Sequence, residues 1–187
     1  MPKLKGNLHT HTTLSDGRNP PEHVARKYLD AGYDFIAFTD HRCFIGPGLD
    51  SVHEYWSKLP QHCGDLIVLH GFEEEPPEIN GRHLNIIRAG SEELRILNHP
   101  SEYGRSIDDL KKDIEKVGAH AVEITCHGRY LERYDKKELG VVLLATDDSH
   151  FDEEIGISWI EVDADRDAES ILRAIKAGRF ENKIGKR

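Results

Sequence analysis

Short apolar segments that end in a histidine or a carboxylate recur along the chain, and helix-like segments separate several of them. Four such segments are residues 34–39, which precede His41; residues 66–71, which precede Glu73; residues 94–97, which precede His99; and residues 141–146, which precede Asp148 and His150. Buried parallel strands read as continuous apolar runs, and in a barrel their carboxyl ends carry the active site. The alternation alone allows an open α/β sheet or a barrel, and the polar strand ends favour the barrel.

The length of the chain limits how regular such a barrel can be. An eightfold β/α barrel typically needs about 250 residues, and this chain has 187. Some connections between strands must therefore lack full helices. We expect one domain spanning residues 1–187, with an irregular α/β barrel.

The stretch 7–17 places three potential metal ligands close together near the start of the chain. His9 and His11 are two residues apart in a short strand-like segment, so their side chains point to the same face. Asp16 follows in a Ser-Asp-Gly turn, from which a short carboxylate can reach back to the strand. This spacing predicts one wall of a metal site.

The remaining histidines are separated by their position in the predicted elements. His23, His53, His62 and His120 lie in helix-like segments or away from strand ends, so we expect none of them to be a ligand. His83 begins a strand-like segment instead of ending one. We expect it to face the substrate or to support a ligand.

Composition excludes some partners. The formal net charge of −9 argues against broad binding to nucleic acid or to an anionic membrane surface. No apolar run approaches the roughly 20 residues of a membrane span, and the first residues lack the apolar core of a signal peptide. We expect a cytoplasmic protein whose three widely spaced cysteines are reduced. The oligomeric state stays open.

Five separated motifs, taken together and in this order, resemble the PHP (polymerase and histidinol phosphatase) superfamily. They are His9-Thr10-His11 with Ser15-Asp16-Gly17, Thr39-Asp40-His41, Gly71-Phe72-Glu73, Asn98-His99-Pro100 and Asp148-Ser149-His150. The resemblance covers nearly the whole chain. It implies a distorted seven-stranded β/α barrel that holds two to three metal ions and hydrolyses phosphoesters.

The resemblance also implies how the ligands divide among the ions. One ion would be held by His9, His11, Glu73 and Asp148, and Glu73 would bridge it to a second ion. That second ion would also be held by His99 and by His127 or Cys126, of which we favour His127. The third ion would be held by Asp16, His41 and His150. Glu73 and Asp148 would be the catalytic residues, because they hold the two ions that share a hydroxide.

The donor types agree with these roles. Imidazole mixed with carboxylate suits zinc, manganese or iron, whereas an all-oxygen site would suggest magnesium or calcium. A bound cation lowers the pKa of water from 15.7 to about 7, so a hydroxide bridging two ions is the expected nucleophile. A guanidinium would complete a phosphate cradle. Arg42 and Arg129 neighbour predicted ligands and are, with His83, the predicted substrate-binding residues.

Three classes of function remain open from the sequence. The favoured one is a phosphoesterase that acts on a small phosphorylated substrate or a short oligonucleotide, as a mono- or diester. An amide or acetyl hydrolase could use two of the same ions without the third. A metal-binding module without catalysis is the remaining alternative.

Overall fold

The computed structural model describes residues 3–185. In chain order the strands and helices are β1 (Leu4–Asn7), α1 (Pro21–Asp30), β2 (Phe35–Phe38), α2 (Arg42–Ile45), α3 (Gly48–Ser57), β3 (Ile67–Glu74), β4 (Leu84–Ala89), β5 (Glu92–Leu97), α4 (Ile107–Val117), β6 (Ala121–Glu123), β7 (Thr125–Cys126), β8 (Arg129–Tyr130), β9 (Val142–Leu144), β10 (Ser158–Val162), α5 (Ala168–Lys176) and β11 (Phe180–Ile184). Three 3-10 turns lie at Pro77–Ile79, Lys137–Leu139 and Asp152–Glu154.

The main sheet of residues 3–185 has nine strands in the order β11-β10-β1-β2-β3-β4-β5-β6-β9. It confirms the predicted distorted β/α barrel, but the predicted count of seven strands is wrong. The two additional strands are the C-terminal pair, since β10 runs antiparallel to β1 and β11 pairs with β10. Among the other seven, only β4 runs antiparallel to both of its neighbours. The other six therefore end at the same edge of the sheet.

The sheet closes at a seam between β9 on one side and β1 and β11 on the other. Near the ligand edge, Thr10 forms a bridge with Ser149, and the His11 backbone amide donates to the Ser149 carbonyl at 2.9 Å. Farther from that edge, the exposed side chain of Asn182 in β11 hydrogen-bonds to β9. It donates to the Leu143 carbonyl at 2.8 Å and accepts from the Ala145 amide at 2.8 Å. A single amide side chain therefore makes the two bonds that a neighbouring strand would make.

Helix boundaries follow the local signals in the sequence. Proline begins α1, and Gly32 after its end has a φ of 75°, in the left-handed region that glycine adopts without steric cost. The Ser106 hydroxyl caps α4 by accepting from the Asp109 amide. No helix within residues 3–185 has the length and apolar composition that crossing a membrane requires.

The core that supports the site fills the barrel at the end away from the ligands. Side chains from the strands, including Leu4, Phe35 and Leu69, pack with Ile171 and Ile175 of α5. The Phe35 ring occupies the space beside Gly6, where a β-carbon would lie 2.1 Å from the ring. Because the interior is filled, the strand ends at the opposite edge are held in fixed positions.

Candidate metal centre

The strand ends bring the predicted ligands to one pocket. His9 and His11 follow β1, His41 follows β2, Glu73 lies in β3, His99 follows β5, His127 lies between β7 and β8, Asp148 and His150 follow β9, and Asp16 comes from the loop after β1. All of these except His9 line a cavity of about 190 Å³, together with His83 and Glu102. His9 is fully buried beside them.

Glu73 is at the centre of this arrangement and is 1% exposed. Imidazole nitrogens of five residues lie 3.0–3.5 Å from its two oxygens: His9, His11, His41, His83 and His99. Burial opposes ionisation of Glu73, but the charge of His9 and the other imidazoles close to the carboxylate outweigh it and hold the pKa of Glu73 well below its usual value. The carboxylate is therefore ionised, and its charge acts on all five imidazoles.

Asp148 faces two of the same imidazoles from the opposite side of the pocket. Its Oδ1 lies 3.3 Å from His9 Nε2 and 3.6 Å from His11 Nε2. His9, His99 and Asp148 can each direct a ligand atom to one point, as can His9, His11 and Glu73. The structure thus brings together the residues predicted for the first two ions.

A further group lies on the open side of the pocket. His11, Asp16, His41 and His150 offer ligand atoms that all lie within 4.8 Å of one another. The carboxylate oxygens of Asp16 are 3.4 Å from His41 Nε2 and 3.6 Å from His150 Nε2. This group contains the three residues predicted for the third ion. His11 belongs both to it and to the Glu73 group.

The turn at residues 126–127 places both alternatives for the remaining ligand near the pocket. His127 Nδ1 lies 3.5 Å from Asp148 Oδ2, and His127 lines the same cavity as the other ligands. Cys126 instead directs its thiol to Glu102 at 3.7 Å, and burial raises the pKa of that thiol to about 11. Position in the cavity favours His127, although Glu102, Cys126 and His127 also form a compact group.

The donor set fits metal ions. Within residues 3–185, the buried nitrogens His41 Nδ1, His83 Nδ1 and His99 Nδ1 make no hydrogen bond. Each nevertheless lies 3.0–3.1 Å from a carboxylate oxygen. Buried polar atoms without partners are rare in folded proteins, and each needs an explanation such as an ion. Divalent cations shared by these imidazoles and carboxylates would satisfy them.

Three of the predicted ligands have unusual backbone conformations. The φ angles are 20° for His99, 45° for His127 and 49° for Asp148, all in the left-handed region. Such conformations are uncommon outside glycine, and they cluster at functional sites when the surrounding structure enforces them. These turns point the three side chains back over the end of the barrel.

Two buried aspartates hold the loops of the pocket without entering it. Asp40 accepts from the Thr12 amide, the Ser15 hydroxyl and the Tyr55 hydroxyl at 2.7–2.8 Å, which fixes the loop that carries Asp16. Burial raises the pKa of Asp40. Asp147 accepts from the amides of Gly156 and Ser158, and burial raises its pKa to about 6. Both carboxylates are therefore structural.

His83 lies deeper in the site than its place at the start of a strand suggested. Its Nδ1 is 3.1 Å from Glu73 Oε1, and it can form a ligand group with His41 and Glu73. The reason is the direction of β4, whose first residues lie at the edge where the parallel strands end. The start of β4 therefore lies at the same edge of the sheet as the ends of the parallel strands, which places His83 beside the other ligands.

The two predicted substrate-binding arginines lie in separate cavities beside the metal pocket. Arg42 lines a cavity of about 470 Å³, and its guanidinium donates to the carbonyls of Gly46 and Gly48. Arg129 lines a cavity of about 340 Å³ that also includes His127. The Arg129 side chain is exposed at this cavity.

Sequence reasoning missed Glu123, which is fully buried in β6 and contacts the ligand residues. An acidic residue within the apolar segment 121–124 was the available signal, because a buried carboxylate needs partners. The histidines predicted to be bystanders lie outside the pocket. His23, for example, pairs with Asp152 on the surface, and His120 accepts from the Arg95 amide.

Comparison with solved structures agrees with this fold. The chain is similar to a two-domain protein from Bacteroides vulgatus described as containing a predicted PHP-like metal-dependent phosphoesterase, with a TM-score of 0.73 and 18% identity over 98% of this chain. This chain spans 65% of that protein's length. No protein-family model and no curated protein match the sequence.

Two further structures resemble the whole barrel more distantly. An amidohydrolase from Chromobacterium violaceum, with bound sulfate and no metal, has a TM-score of 0.60 and 13% identity over 94% of this chain and 97% of its own. A putative metal-dependent phosphoesterase from Bifidobacterium adolescentis has a TM-score of 0.55 and 12% identity, over 81% and 90% of the two chains. The chain therefore has the PHP-type fold that the sequence resemblance implied, and its His, Asp and Glu groups suit divalent metal ions.

Metal content provides a direct check of the site. Protein purified without chelator is expected to contain more than one transition metal ion per chain by elemental analysis, because the ligand atoms form several compact groups. The double replacement His53→Gln and His62→Gln, outside the pocket, should leave the stoichiometry unchanged. A metal content near zero that reconstitution does not raise would show that the groups do not bind metal.

Proposed function

We propose that the protein is a metal-dependent phosphoesterase. The observation that carries the proposal is the group formed by His11, Asp16, His41 and His150 beside the groups that share Glu73. Hydrolysis of an amide at two ions would not require this additional group. A tetrahedral phosphate, in contrast, has several non-bridging oxygens whose negative charge needs cationic partners in the transition state.

The ligand roles divide between activating water and binding phosphate. The two ions at the closed side of the pocket would be held by His9, His11, Glu73, Asp148, His99 and His127. The ion at the open side would be held by Asp16, His41 and His150. When bound, the ions supply Lewis acidity and bring the pKa of a coordinated water close to neutrality. The carboxylate side chains of Glu73 and Asp148 would balance their charge. His9 and Asp148 are almost fully buried, so this side of the pocket is shielded from bulk solvent.

The substrate proposed for this site is a small phosphorylated molecule or a short oligonucleotide. The metal pocket is small, at about 190 Å³, and is flanked by the larger cavities beside Arg42 and Arg129. The phosphate would lie in the pocket and the rest of the substrate in a flanking cavity. The net charge of −9 is unfavourable for binding a long nucleic acid.

An amide or acetyl hydrolase is the second candidate. It is supported by the resemblance to the Chromobacterium violaceum protein, which is named an amidohydrolase. The two reactions differ in their dependence on the group at the open side of the pocket, which contains His150. Replacing His150 therefore separates them.

Purified protein reconstituted with zinc, manganese or iron should be assayed against panels of phosphomonoesters, phosphodiesters and amides. We expect phosphoester turnover, and we expect His150→Ala to reduce it by more than about 100-fold, which exceeds the usual effect of losing one partner around a metal ligand. Any amide hydrolysis should change much less. Robust amide turnover without phosphoester turnover, or equal loss of both on substitution, would contradict the phosphoesterase assignment.

Arg129 is expected to bind the substrate directly. Arg129 is exposed and lines the cavity that His127 also lines, and a charge-assisted hydrogen bond contributes about 1.5–3 kcal/mol. Arg129→Ala should therefore lower kcat/KM by roughly tenfold or more, mainly through KM. Arg133→Ala is a matched control, because that exposed guanidinium stacks on the Tyr134 ring outside the pocket. Arg129→Ala with unchanged kcat/KM would exclude this role.

A further inference from the structure

Glu123 makes three hydrogen bonds that link different strands beneath the metal pocket. Its Oε1 accepts from His9 Nδ1 at 2.7 Å and from the Thr146 hydroxyl at 2.7 Å. Its Oε2 accepts from the His99 backbone amide at 2.8 Å. The side chain is 0% exposed. Glu123 does not line the pocket, so it acts on any ion only through other residues.

The bond to His9 determines which ring nitrogen can bind an ion. A carboxylate accepts hydrogen bonds, so His9 keeps a proton on Nδ1, and its neutral form presents the Nε2 lone pair to Glu73 and Asp148. His9 Nε2 lies 3.4 Å from Glu73 Oε1 and 3.3 Å from Asp148 Oδ1. Without Glu123 the imidazole can rotate and can exchange its tautomer.

The bond to His99 acts on the backbone. His99 has a φ of 20°, a conformation that histidine rarely adopts unless the surroundings fix it. The Glu123 carboxylate holds the amide of this residue, and the imidazole is thereby directed toward Glu73, 3.4 Å from its Oε1. One buried side chain thus positions a ligand after β1 and a ligand after β5.

We propose that Glu123 is a positioning residue that sets the metal affinity of both ligand groups on the closed side of the pocket at once. The inference rests on the metal-binding part of the proposed function and is independent of the substrate. A carboxylate behind a metal-bound histidine fixes the ring and raises its basicity, and loss of such a partner typically costs 10- to 100-fold in affinity. Because His9 and His99 share this carboxylate, its loss should weaken the closed-side ions together.

The test compares Glu123→Gln with Thr146→Val in the full chain. Both variants alter the same buried cluster. Glu123→Gln replaces the carboxylate that accepts all three hydrogen bonds, whereas Thr146→Val removes only the bond from Thr146 and leaves those from His9 and His99. Zinc is titrated into metal-free protein in the presence of a competing chelator, and folding is checked by circular dichroism. We expect Glu123→Gln to weaken closed-side zinc binding by 10- to 100-fold. Thr146→Val should change it by less than about threefold.

The outcomes separate positioning from general support. Unchanged zinc affinity in Glu123→Gln, or an equal loss in both variants, would overturn the inference. Wild-type protein that binds no zinc would overturn the proposed metal site and this inference with it. If Glu123→Gln does not fold, imidazole nitrogen NMR of the zinc-loaded wild type still tests the inference. Protonated Nδ1 and zinc-bound Nε2 in His9 are expected, and coordination through Nδ1 would overturn it.

Discussion

Replacing Glu73 by Gln is expected to lower phosphoester turnover by more than about 100-fold. Imidazoles from five residues lie 3.0–3.5 Å from its two oxygens, so the substitution removes the charge that all of them share. The amide nitrogen of Gln would also face imidazole nitrogens that need an acceptor or an ion. Loss of a residue that contacts the ions directly should exceed the 10- to 100-fold effect of an outer partner.

A nearby acid provides the control for this experiment. Glu78→Gln is the same chemical change five residues farther along the chain, but Glu78 is exposed and does not line the metal pocket or the two flanking cavities. Turnover and metal content should stay near the wild-type values in that variant. Similar losses in Glu73→Gln and Glu78→Gln would show that net charge, and not the position of Glu73, determines activity.

Removing the metal ions is expected to lower the melting temperature substantially. A ligand that binds only the folded state stabilises it by about 2.7 kcal/mol when its concentration is 100 times its dissociation constant. For a chain of this size each kcal/mol corresponds to about 2–4 °C. Each ion should therefore add roughly 5–10 °C, measured by thermal denaturation of chelator-treated and reconstituted protein.

This thermal shift should be larger at a pH above the folded-state pKa of His9 than at pH 6. Burial opposes protonation of His9, but the charges of Glu123, Asp148 and Glu73 outweigh it and raise the pKa of His9 well above its usual value. Protonated His9 stabilises the metal-free fold at low pH, and that contribution is lost as the pH rises through the folded-state pKa. Metal binding requires the neutral imidazole. A shift that is absent at both pH values would exclude metal as a source of stability.

Several features of the fold were predictable because local chemistry determines them. The strand ends at His41 and His99, for example, follow apolar segments that can only be buried, and the helix boundaries follow proline, serine and glycine signals. The strand Phe180–Ile184 was not predicted, because most of its side chains are exposed at the sheet edge. Its apolar alternation is weak, and only pairing with β10 makes it a strand.

The site shows the same division between local and long-range information. Motif order indicated which residues meet at the strand ends, but not the distances between them. His83 could not be placed without the antiparallel direction of β4. The contacts of Arg42 with carbonyls of its own loop were likewise not evident from its position beside His41. Glu123 could be assigned only from the tertiary structure, since its hydrogen-bond partners are 23 to 114 residues away along the chain.

The barrel can open at Asn182 without a change in the register of any strand, because a side chain and not a backbone ladder closes it there. Backbone pairing between strands breaks cooperatively, whereas the two bonds of this exposed amide compete with water and break with one side-chain rotation. When they do, β9 has a free edge at Leu143, and the Ala145 amide loses its partner. The Thr10–Ser149 bridge lies nearer the ligand edge and does not depend on Asn182. An opening at Asn182 therefore leaves the backbone contact beside the candidate metal centre in place.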